Sequence, residues 1–77
     1  SIYHAEMMAI YMAIKYVTTR QITNKNLVIA SDSLSSITKL KSPGFMNNSP
    51  LIYEIIESIN SLKSLKNVNT KIIWVKA

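Results

Sequence analysis

Residues 26–33, Asn26-Leu27-Val28-Ile29-Ala30-Ser31-Asp32-Ser33, set the fold class. Leu27 to Ala30 is a short apolar run containing Val28 and Ile29, closed on both sides by polar residues. Its length and β-branched content predict a strand covered on both faces, most simply in a parallel sheet. Ser31, Asp32 or Ser33 then suits the N-cap of a helix, because a short oxygen-bearing side chain satisfies the free N–H groups of a first turn. Leu34, Ile37 and Leu40 follow at helical spacing, so a helix is expected over 33–41, stopped at Ser42-Pro43-Gly44 and followed by a loop over 45–49.

Working outward, Pro50 fits a helix's first turn, and Ile52, Ile55, Ile56, Ile59 and Leu62 draw one apolar stripe ending near Leu65. Glu54 and Glu57 lie toward the positive end of this 51–66 helix, with Lys63 and Lys66 toward its negative end. Asn67-Val68-Asn69 predicts a turn, and 70–75 a second strand. Upstream, residues 5–18 are almost wholly apolar and rich in Ala and Met, which favours a helix over a strand of such length. Its alanine face (Glu6, Ala9, Ile10, Ala13, Val17) is expected to lie close against the sheet, and its bulkier side (Met7, Tyr11, Ile14) to meet a second helix. Residues 18–26 are polar and connect. The order is helix, strand, short helix, longer helix, strand: an α/β arrangement whose two strands, joined by a helical crossover, should be parallel.

The chain has 77 residues, 48% of them hydrophobic, enough for one small domain with a thin core. With no cysteine and one histidine, disulfides and a structural zinc site are excluded. Nine basic against four acidic side chains give a net charge of +5, which favours polyanionic partners. The opening residues lack the basic region of a secretory signal, and the longest apolar run, Met7 to Ile14, is far short of the about 20 residues that cross a membrane. An intracellular location, cytoplasmic or nuclear, is expected, with no secretion and no membrane partner. A first residue other than methionine and an apolar end, Trp74-Val75-Lys76-Ala77, lead us to expect a piece of a longer polypeptide. The edge of 27–31 and the first helix then lack cover, so weak stability or self-association through them is expected.

Two of the acids sit in unusual places. Glu6 is expected in the first turn of an apolar helix, and Asp32 at the carboxyl end of the first strand, where open α/β sheets place ligands. The plainer roles are a helix cap for Asp32 and favourable interaction with a helix N-terminus for Glu6. If both face one crevice, the paired carboxylates call for a hard divalent cation such as magnesium to relieve their repulsion.

Three strings in order, Ala5-Glu6-Met7-Met8-Ala9-Ile10, Val28-Ile29-Ala30-Ser31-Asp32-Ser33 and Ile73-Trp74-Val75-Lys76-Ala77, resemble the ribonuclease H family, closest to the RNase H domains of non-LTR retrotransposon reverse transcriptases. The resemblance spans essentially all of residues 1–77 and implies the central and C-terminal part of a single RNase H-like domain, lacking the first three strands and the final catalytic segment. Of the family's five-stranded mixed sheet, 27–31 resemble the fourth strand and 71–75 the fifth, while 5–18 resemble the first helix and 33–41 and 51–66 the later ones. Such enzymes hydrolyse the RNA strand of RNA–DNA hybrids with four carboxylates and two Mg2+ or Mn2+ ions. Glu6 and Asp32 match two of those carboxylates, catalytic and metal-binding; the other two would precede Ser1 and follow Ala77. The resemblance implies weak metal binding and little or no activity for these residues alone.

The commoner family form has proline and a small residue after the tryptophan-bearing strand, where Lys76 and Ala77 stand here; some retroelement domains share that departure. Lys39 and Lys41 are candidate phosphate contacts, though solvated lysines at a helix end are the plainer role. His4 does not occupy the family's histidine position, and Trp74 reads as a packing residue. The alternative is a non-catalytic, retroelement-derived module that binds nucleic acid or protein.

Overall fold

A computed structural model describes residues 2–42 and 49–77. Five elements follow in the expected order: α1 (Ile2–Thr18), β1 (Asn26–Ser31), α2 (Leu34–Lys41), α3 (Pro50–Lys66) and β2 (Asn69–Trp74). The two strands are parallel, in register from Asn26 opposite Asn69 to Ser31 opposite Trp74. The expected stop at Ser42-Pro43-Gly44 and the loop after it lie, apart from Ser42 and Ser49, outside the described residues.

The first strand is covered on one face, where both of its faces were expected to be. Leu27, Ile29 and Ser31 point toward the helices, while Val28 is 56% exposed and Ala30 is exposed on the other side. Period-two alternation of this kind belongs to a half-covered sheet. The helices pack on the covered face around a core of Met7, Ile10, Ile14, Ile29, Ile55 and Leu62. In α1 the bulky side does meet a second helix, because Met7 and Ile14 are buried in the cluster that also holds Ile52 and Ile55 of α3. The alanine face differs from expectation. Ala9 and Ala13 remain exposed and leave a groove beside β1, since methyl groups are too short to fill it. The α3 stripe also ends earlier than expected, at Leu62, and Leu65 is 81% exposed.

The helix ends are held by polar contacts. Ser33 caps α2, its hydroxyl accepting from the Ser36 N–H, and Ser49 caps α3 by accepting from Ile52, with Pro50 in the first turn. Asn67 ends α3 in the left-handed region at φ 53°, a conformation asparagine tolerates better than most residues. Its side-chain amide donates to the Asn24 side chain at 2.9 Å, and Asn24 is itself left-handed at φ 56°. The Lys66 ammonium donates to the carbonyls of Thr18 at 2.8 Å and Arg20 at 2.6 Å. The connection from α1 to β1 is thereby pinned to the end of α3, which sets where β1 begins beside β2.

Candidate functional site

At the carboxyl end of the sheet a groove of about 410 Å³ runs between α1 and the free edge of β1. Glu6, Ala9 and Ala13 line it from α1, one helical face by their spacing, and Ala30, Ser31 and Asp32 line it from β1 and the residue after it. The structure thus brings Glu6 and Asp32 to one cavity. Glu6 is half-buried and Asp32 exposed.

Neither acid has the plainer role open to it. The cap of α2 is Ser33, whose hydroxyl already accepts from the Ser36 N–H, so the Asp32 carboxylate is not spent on that turn. Helix α1 begins at Ile2, three residues before the expected start, which puts Glu6 in the second turn with no acid in the first. The favourable field of a helix N-terminus fades beyond that first turn. Among the described residues, no hydrogen bond or salt bridge engages either carboxylate.

Around Asp32 the backbone is well tied. The Ser33 N–H donates to the Ser31 hydroxyl at 3.1 Å, the Val75 N–H to the Ser31 carbonyl at 2.9 Å, and the Trp74 indole N–H to the Asp32 carbonyl at 3.3 Å. Trp74, expected to be a packing residue, is half exposed at the sheet's end and acts as a donor there. The reason is its register opposite Ser31: the strand pair ends at that point, leaving the indole at a rim. Sequence patterning gives no sign of this contact.

Among the described residues no group of three or more His, Asp, Glu or Cys side chains forms a metal cluster. Glu54 and Glu57 lie elsewhere, on exposed positions of α3. There the hydrogen bond and negative charge of Glu57, with smaller contributions from desolvation and Glu54, push the Tyr53 hydroxyl above its ordinary pKa of 10.0. His4 is exposed on α1 and is not among the groove residues. Lys39 is exposed and lines neither large groove, while Lys41 lines the second, along β2. No family model, curated protein or solved structure matches this chain.

Proposed function

We propose that the chain belongs to a ribonuclease H-like domain that hydrolyses the RNA strand of RNA–DNA hybrids, with Glu6 and Asp32 as two of its metal-binding carboxylates. The observation that supports this most is the groove itself: two acids carried by different elements share it, and neither has a hydrogen-bond or ion-pair partner among the described residues. Carboxylate oxygens from two elements facing one groove are the hard donors that a divalent cation such as Mg2+ takes.

The donor set suits Mg2+ or Mn2+, both of which take oxygen ligands. When bound, such ions supply charge stabilisation of the scissile phosphate and a nucleophilic water. Glu6 would hold its share from the rigid α1, braced against α3 through Met7 and Ile10. Asp32 would present a carboxylate whose backbone is fixed by the Ser31 hydroxyl and the Trp74 indole. Such fixing counts because small misplacement of reacting groups costs roughly a hundredfold in rate. Two carboxylates are half of the set the reading requires, so these residues alone should hold metal loosely.

The test is magnesium-dependent cleavage of a labelled hybrid beside a binding measurement at fixed salt. The 77-residue chain should cleave poorly or not at all, and a longer polypeptide supplying two further carboxylates should cleave. In that polypeptide D32N and E6Q should nearly abolish cleavage and leave most of the hybrid affinity, which rests on phosphate contacts. Undiminished cleavage after D32N would reject the assignment. Hybrid binding without cleavage in every such polypeptide would favour the non-catalytic alternative.

A further inference from the structure

The second groove, of about 580 Å³, follows the outer edge of β2 on the side away from the two acids, and every residue from Thr70 to Trp74 lines it. Its other wall is apolar, formed by Ile37 and Leu40 of α2 with Ile59 of α3. Beyond β2 no further strand pairs with it among the described residues. The N–H groups of Asn69 and Val75 donate to the carbonyls of Lys25 and Ser31. By the two-residue alternation of a strand, Asn69, Lys71, Ile73 and Val75 therefore aim their backbone groups at β1, and Thr70, Ile72 and Trp74 aim theirs into the groove.

We propose that this groove is a docking site for an extended acidic peptide, which adds to the sheet as a third strand beside β2. Three features select that occupant. The free edge offers N–H and C=O groups in alternation, and a peptide backbone satisfies both, whereas a phosphate backbone would accept from the N–H groups and repel the carbonyls. Lys41 and Lys71 line the groove and no acidic residue does, in a chain of net charge +5, so acidic side chains are favoured and a second copy of the same basic edge is opposed. The wall of Ile37, Leu40 and Ile59 is apolar, which suits a strand that carries apolar side chains on one face. Apolar side chains at alternate positions of that peptide would rest on Ile37, Leu40 and Ile59.

Trp74 is the only tryptophan and lines the groove, so its fluorescence reports occupancy directly. The probe is a peptide of alternating valine and glutamate, six residues long to match β2. Saturable binding is expected, with amide shifts concentrated at Thr70, Ile72 and Trp74. The same peptide N-methylated at every second residue should lose binding on the unaltered protein, because its strand-pairing donors are gone. The K41E/K71E double variant, changed at two exposed positions, should weaken binding about tenfold, as expected for two exposed charge pairs turned from attraction to repulsion. Equal binding of the N-methylated peptide, or of one alternating valine and lysine, would overturn the proposal. So would shifts that map to the edge of β1, tighter binding of a short oligothymidylate, or sedimentation showing two copies joined through β2.

Discussion

Replacing Asp32 by Asn and, separately, Ser33 by Ala distinguishes a functional carboxylate from a structural one at neighbouring positions. The Ser33 hydroxyl accepts from the Ser36 N–H at 3.4 Å and lies 2.7 Å from the Ser36 hydroxyl, on a side chain that is 0% exposed. S33A removes a helix cap worth about 1 kcal/mol and strips a buried hydroxyl of its partner, so a total loss of about 1–3 kcal/mol is expected. A domain of this size holds only roughly 4–12 kcal/mol, and each kcal/mol moves Tm by about 4–8 °C. S33A should therefore lower Tm by roughly 5–20 °C. D32N removes no hydrogen bond or ion pair among the described residues; the charge it takes from near the start of α2 is exposed, and at physiological salt is worth roughly 0.5 kcal/mol at most. Its Tm should fall by no more than about 2–4 °C. Mn2+ titration read by broadening of the Ala30, Ser31 and Ser33 amides should give the reverse ranking, retained in S33A and lost in D32N. A D32N protein as destabilised as S33A, or one that broadens like the unaltered protein, would refute the idea that the Asp32 carboxylate is spare for a cation.

Lys66→Met should cost about 1.5–3 kcal/mol, because two carbonyls lose a charged donor, and should speed amide exchange at residues 19–25 before the rest of the chain. Followed by ultraviolet absorbance, Tyr53 should titrate above 10.0, and E57Q should bring it back toward 10.0. Since the folded state holds that proton longer than the unfolded state, the linked stability is intact below pH 10.0 and declines as pH rises through the raised value. Val28→Lys places a charge on the open face of β1 and should reduce any concentration-dependent association seen in sedimentation; an unchanged profile would remove that face from the association surface.

Element order and strand direction were legible because α3 carries a single isoleucine stripe between two short β-branched runs, and a helical crossover leaves parallel pairing as the simple outcome. Which faces are covered was less legible. A run such as Leu27-Val28-Ile29-Ala30 is apolar throughout, so it carries no alternation to mark Val28 as the open side. Ala9 and Ala13 suggest close approach by their size, yet small residues equally line a space that nothing fills. At the site, Glu6 and Asp32 stood out as acids in apolar surroundings, but whether either had the plainer structural role turned on details beyond patterning: which serine caps α2, and three residues of extra helix before Ala5. The groove along β2 had no sequence signal, because Lys41 and Lys71 lie far apart in the chain and meet only through the sheet.

Both grooves have one physical origin. Among the described residues the sheet has two strands and no interior one, so β1 and β2 each keep one free edge there, and the helices overhang those edges without closing on them. What separates the grooves is charge: Glu6 and Asp32 mark the β1 side, Lys41 and Lys71 the β2 side. Opposite signs on opposite edges make each groove select against the ligands of the other, since a cation is repelled from the lysines and an acidic chain from the carboxylates. The Trp74 indole, which lines the β2 groove, donates to the carbonyl of Asp32, which lines the β1 groove. A strand docked beside Trp74 would therefore lie next to the hydrogen bond that holds the backbone at Asp32.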